Sequence, residues 1–139
     1  MKITQEELKT ALELHKKWLH NEEDGEKLNL NRTNLRRANL SFMDLTCADF
    51  SGADLSGADL RGTNFSETYF CCTDLSDANF SGSNLSGADL RWANTNETTG
   101  LDVICVQLNT SNQNRQIQYY VQLRKVTAGC FSGTLDELK

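Results

Sequence analysis

The residues of this 139-residue chain with the widest chemical range are five cysteines, two histidines and a cluster of arginines and tyrosines near the C-terminal end. Cys47, Cys71, Cys72, Cys105 and Cys130 make an odd count with one adjacent pair, and their spacing has none of the regularity of a disulfide framework. Free thiols in a reducing compartment are the expectation. Zinc wants four converging nitrogen or sulfur ligands, and His15 and His20, five apart, sit about 140° apart around an α-helix, so no metal site is expected. Catalysis needs a nucleophile, a base and an orienting group in one pocket, yet the chain contains no GxSxG, HExxH or phosphate loop. Cys130, in Ala-Gly-Cys-Phe, has the one suggestive setting, and a buried strand thiol is the commoner explanation for it. The expectation is a protein with no catalytic residue, no metal and no cofactor.

Arg115, Tyr119, Tyr120, Arg124 and Lys125 fall in one segment, where charge and ring stacking could hold a nucleotide. A solvated, packed strand surface explains the same residues. The balance of 14 Lys+Arg against 19 Asp+Glu, net −5, argues against nucleic acid or an anionic membrane as the default partner. No apolar run approaches the roughly 18 residues of a membrane span, and the opening MKITQEELKTALELHKKW is charged throughout, without the apolar core of a signal peptide. A soluble, cytoplasmic protein is expected.

The elements that position these residues follow from a repeat. The chain has no proline, 13 Asn, 13 Thr, 10 Ser and 19 Leu, only 7 Val and Ile together, and 38% hydrophobic residues. That is a thin, repetitive core rather than a sandwich rich in β-branched residues. Leu or Phe occupies every fifth position from Leu30 to Leu90, 13 in succession, and the preceding residue is Asn or Asp in 12 of the 13, Tyr69 being the exception. Two positions before, 11 of 13 are small or short hydroxyl residues, with Leu28 and Met43 departing. A period of five fits neither a helix nor a strand; it suits a chain that turns a corner every five residues.

This pattern resembles the pentapeptide-repeat family, whose A(D/N)LXX motif is met literally by ADLSG at 53–57 and ADLRG at 58–62. The resemblance implies an all-β solenoid, a right-handed quadrilateral β-helix with four pentapeptides per coil. The central Leu or Phe and the small residue two before it would point inward. Thirteen pentapeptides would make about 3.25 coils, and at the spacing of paired strands a tube about 16 Å long. Its open ends call for caps.

Three parts are expected: an N-terminal helical cap at 1–27, the β-helix at 28–94 and a C-terminal meander at 95–139. In the first, Thr4-Gln5-Glu6-Glu7 has capping-box form; Leu8, Ala11, Leu12, His15, Trp18 and Leu19 share a helical face set over the first coil, and Gly25 is the expected stop. In the last, Thr95 to Gly100 is expected as a linker, 101–108 as a strand, Asn109 to Asn114 as a turn, 116–124 as an alternating strand and Lys125 to Phe131 as a third. TLDE at Thr134–Glu137 has the form of a second capping box. The meander is expected to close the tube.

Four pentapeptides per coil would stack residues 20 apart. One side then contains 28–32, 48–52, 68–72 and 88–92 and carries the departures from the repeat: Tyr69, Cys71 and Cys72, Arg91 and Trp92. This side is the expected contact surface, covered by the meander or by another subunit; tolerated surface variation is the bland reading. Cys71 and Cys72 are expected to diverge, and stacking keeps Cys47 away from Cys72. Eight acids against one base, Arg61, lie between Ala38 and Leu90, two, three, one and two on the four sides. Some pentapeptide-repeat proteins resemble B-DNA and bind topoisomerases such as gyrase, but acids scattered in this way form no dense stripe. The segment VTAGCFSGTLDEL is similar to tails of some phage-encoded members of the family.

The expected function is a non-enzymatic binding module for a protein partner, with Tyr69, Arg91, Trp92, Tyr120 and Arg124 as candidate binding residues. Self-association through the C-terminal part or the Tyr69/Trp92 side is a further expectation, and neither direct nucleic-acid nor membrane binding is expected. Inhibition of a host topoisomerase by DNA mimicry is one version. A phage anti-defence protein that sequesters a nucleotide signal through the C-terminal hairpin is the alternative.

Overall fold

A computed structural model describes residues 2–101 with their side chains and four C-terminal strands as backbone. Helix α1 (Gln5–Leu19) starts as its sequence dictates: the Thr4 hydroxyl accepts the Glu7 N–H at 3.2 Å and the Glu7 carboxylate accepts the Thr4 N–H at 2.7 Å. Glu6 and Glu7 in the first turn and Lys16 and Lys17 in the last complement the helix dipole. The helix stops at Leu19, before the expected Gly25, because Asn21 takes a positive φ of 54°. Gly25 has a different task. The chain there returns against the helix, where a Cβ would collide with the Trp18 backbone nitrogen.

From Asn29 the chain climbs as a coil with a corner every five residues. Parallel bridges join residues 20 apart, as in Asn29 to Asp49 to Tyr69 to Asp89 and Asp44 to Asn64 to Asn84. Each side exchanges backbone hydrogen bonds with the coil on either side; Leu30 donates to Asp49 and Asp49 to Leu28. The Asn and Asp preference has a local cause. Their side-chain oxygens accept the N–H two residues on, as Asp44 does from Thr46 at 3.1 Å and Asn84 from Ser86 at 3.1 Å, and so fasten each corner.

Every corner from Arg32 to Glu97 places one residue at positive φ, glycine at 52, 57, 62, 82 and 87 and other residue types elsewhere. Inside, Leu and Phe from Leu30 to Leu90 form the core, and the residue two before supplies a small filler everywhere except at Leu28 and Met43. Phe50 and Phe70, one coil apart, stack with ring centroids 5.5 Å apart, and Phe65 meets Phe70 edge-on at 5.1 Å. Three inward threonines are satisfied rather than orphaned: Thr63, Thr68 and Thr73 donate to the carbonyls of Leu40, Leu45 and Phe50 in the preceding coil.

At the first coil, Leu8 joins the buried core, with Ala11 and Leu12 packed against it, and Lys2 bridges Asn34. That pairing covers part of an otherwise open strand edge. His15 is buried, stacks on Trp18 and receives the Leu28 N–H.

At the other end the expected linker at Thr95 to Gly100 is instead more coil. Asn94 bridges Asp74, Thr99 bridges Asn79, and Phe80 donates to Thr99 at 2.7 Å. Backbone pairing does not require the inward Leu, so the coil outlasts the hydrophobic ladder. Gly100 stands at φ +74°, where a Cβ would strike the Ser81 nitrogen, and Leu101 fills the core one position late.

Beyond it, β1 (Val103–Thr110), β2 (Gln113–Tyr120), β3 (Lys125–Ala128) and β4 (Phe131–Gly133) form an antiparallel sheet in chain order. Pairing of β1 with β2 runs to Thr110 and Gln113, so the turn is shorter than Asn109–Asn114. The expected third strand is two strands, β3 and β4, paired with each other. Of the alternating strand expected at 116–124, β2 covers the part to Tyr120 and begins earlier, at Gln113; 121–124 lie outside the described residues. Thr134–Glu137 lies outside the described residues.

Candidate interaction surface

The side that carries the departures from the repeat is built on the Asn29, Asp49, Tyr69 and Asp89 bridges. Tyr69 keeps the backbone pairing of its position, donating to Ala48 at 2.9 Å and accepting from Phe50 at 2.8 Å. Its side chain cannot accept the corner N–H as Asn or Asp does. The ring instead stands 46% exposed, with the Lys27 ammonium 5.2 Å from its centroid. One coil on, Asp89 takes the Arg91 guanidinium through Nε at 2.9 Å and Nη2 at 2.6 Å. Arg91 therefore arrives with its charge matched, and its side chain is still half exposed.

Trp92 follows at a corner with φ +61° and is 58% exposed. A left-handed conformation costs a bulky residue on the order of 1 kcal/mol, and burial does not repay it here. Cys72, at φ +60°, occupies the same corner one coil earlier and donates its N–H to the Arg91 carbonyl. The expected divergence of Cys71 and Cys72 does not occur. Their Sγ atoms approach to 3.7 Å, because the turn between them folds the two side chains to one edge. Burial, then the hydrogen bond with Cys72, push the Cys71 thiol above its ordinary pKa; Asp89 adds to this and Arg91 opposes it. A protonated thiol is a poor nucleophile and ligand.

The structure thus sets Tyr69, Arg91 and Trp92 on one side across two successive coils. Tyr120 is placed by backbone alone, opposite Val103 and Lys125. Its side chain and the whole of Arg124 lie outside the described residues, as does Cys130. His15 and His20 are not brought together: His15 is buried, while His20 is exposed with Nδ1 2.7 Å from the Lys16 carbonyl. No group of three or more metal-ligating side chains converges among the described residues, and no helix among them is long and apolar enough to cross a membrane.

The acids do corner work. Asp54, Asp59 and Asp89 each meet an arginine, Arg36, Arg61 and Arg91. Hydrogen bonds from Arg61 hold Asp59 below the usual carboxylate range. Asp54 is also lowered: burial acts against it, but bonds from Ser56 and the Arg36 charge prevail. One feature lay beyond sequence reasoning. Phe42 stands 78% exposed at a corner with φ +59°; its place in the five-residue register marks it as a corner, but only the structure shows how bare it is.

Two stretches, residues 27–62 and 58–94, match the model for pentapeptide repeats, with eight copies. A pentapeptide repeat protein from Nostoc PCC 7120 is 33% identical over 66% of this chain and 73% of its own, with a TM-score of 0.38. A second, from the Arabidopsis thaliana thylakoid lumen, is 24% identical over 52% of this chain and 50% of its own, TM-score 0.25. HetL, a pentapeptide repeat protein of Nostoc sp. strain PCC 7120 involved in heterocyst differentiation regulation, is 19% identical over 53% of this chain and 58% of its own, TM-score 0.28. No curated protein matches the chain. With five-residue corners and 20-residue bridges beside the match to the repeat model, the chain belongs to the pentapeptide repeat family, whose fold is the right-handed quadrilateral β-helix.

Proposed function

We propose that this protein is a non-enzymatic interaction module that engages a protein partner through the side bearing Tyr69 and Trp92. The family is generally non-enzymatic and protein-interacting, which supports the class. The observation that carries the surface is the pair of exposed rings at positions where the repeat favours other residues: Tyr69 forgoes the corner hydrogen bond of Asn or Asp, and Trp92 occupies a left-handed corner. Both choices cost fold stability locally and place aromatic area in water, the composition enriched at binding hot spots. Arg91, planar and prealigned by Asp89, supplies a polar edge beside them.

The acids support topoisomerase mimicry less well, being tied to corners and spread over four sides. Sequestration of a nucleotide rests on Arg115, Tyr119, Tyr120, Arg124 and Lys125, whose side chains lie outside the described residues. Free thiols at Cys47, Cys71 and Cys72 fit a cytoplasmic setting. The test is photo-crosslinking from position 92, with position 77 on another side as control. Capture of one protein from position 92 alone is expected. Equal capture from both positions would reduce the surface to tolerated variation.

A further inference from the structure

A second surface lies between α1 and the segment Asn39–Leu45. It is a groove of about 700 Å³ with Leu12, Met43 and Leu45 in its apolar lining and Phe42 at its edge. The Phe42 ring is laid on the next coil's corner: a Cβ at Gly62 would come within 2.6 Å of it. Glycine fills this corner in the two following coils, at 62 and 82, both at positive φ. Phe42 thus holds a conformation that favours glycine while most of its surface stays in water, so burial within its own chain does not offset the strain.

The charges on the groove specify what could cover it. Glu6, Lys9, Glu13 and Lys16 all line it and are all exposed. Their spacing of three, four and three residues places them along one seam of the helix. Positions 6 and 16, like 9 and 13, are symmetric about position 11, and each pair joins an acid to a base. A second α1 laid antiparallel across a two-fold axis near position 11 would therefore set Glu6 against Lys16 and Lys9 against Glu13, each pair formed twice. A parallel, in-register arrangement would oppose like charges throughout. Such self-complementarity is what an isologous interface demands, and Leu12, next to the axis, supplies its apolar centre.

The geometry points to a second copy of this chain as the occupant of the groove: a two-fold dimer paired through antiparallel α1 helices, with each Phe42 reaching into the interface. This surface is separate from the Tyr69 and Trp92 side, so the dimer and the partner-binding reading stand or fall independently.

Sedimentation velocity of the full chain tests it with two matched variants. Glu6→Lys with Glu13→Lys makes the seam wholly basic; Lys9→Glu with Lys16→Glu makes it wholly acidic. Each alone is expected to be monomeric, and an equimolar mixture is expected to form a heterodimer. Phe42→Gly keeps the charges and suits the left-handed corner, so at concentrations where both proteins are monomeric it is expected to melt no lower than wild type, while raising the dimer Kd more than about tenfold. It decides the matter should a charge variant lose its helix. Wild type remaining monomeric at about 0.1 mM, where even a weak dimer is populated, would assign the groove to another occupant and overturn the proposal. So would acidic and basic variants that each self-associate as wild type does.

Discussion

The Nδ1 atom of His15 accepts the backbone N–H of Leu28 at 3.0 Å, buried at the junction of α1 with the first coil. An accepting Nδ1 requires the neutral ring with its proton on Nε2. Protonation would turn a donor toward a donor.

Burial is the largest influence on His15 and lowers its pKa; Lys27 lowers it further, while Asp44 and the Thr46 backbone raise it. The net effect holds the folded His15 below the ordinary imidazole range. As pH falls, the unfolded chain therefore takes up the proton first. Stability is full above about 6.5, declines as pH drops below it, and levels off once the folded pKa is passed. Thermal melts at about pH 7.5 and about pH 5.5 should show a loss that is smaller in His15→Asn, which keeps an acceptor oxygen but does not titrate. Equal pH dependence in the two proteins would remove His15 from the account.

Thr68 donates to the Leu45 carbonyl at 2.8 Å, and that carbonyl also accepts the Ala48 N–H at 3.0 Å. Thr68→Val keeps the volume and leaves the carbonyl one partner. The expected cost is about 1 kcal/mol by chemical denaturation, the net worth of one buried hydrogen bond. No loss would mean that the inward hydroxyl only fills space.

Gly62 serves two purposes at once, a positive φ of 64° and a seat for the Phe42 ring. Gly62→Ala should cost about 1 kcal/mol from conformation alone, with more from displacing the ring. In a Phe42→Gly background only the conformational part should remain. A double-mutant cycle reads the difference, and zero coupling would show that the ring moves aside freely.

Leu30 to Leu90 made the fold legible, because one large inward residue per five and an Asn or Asp corner before it leave few alternatives to a square coil. The same logic hid the last sides. Thr95 and Gly100 lack the large inward Leu or Phe, while the backbone bonds that carry the coil onward to Thr99 leave no mark on composition. Tyr69 and Trp92 were visible as exceptions to a strict rule. The approach of the Cys71 and Cys72 thiols was not, since it depends on turn geometry rather than residue type. Phe42 escaped for a related reason: its exposure is set by how the ring lies on Gly62, one coil away.

The central claim is that the Tyr69 and Trp92 side serves a partner rather than the fold. Native mass spectrometry of complexes isolated with the wild-type chain and with a Tyr69→Asn, Trp92→Gly double variant tests it most directly, with melting temperatures measured alongside. Asn restores the corner acceptor and Gly suits the left-handed φ, so the variant should melt no lower than wild type. It should keep the α1-paired dimer and lose the mass of the heterologous partner that wild type retains. The same partner mass on both proteins, or a variant that melts well below wild type, would contradict the claim.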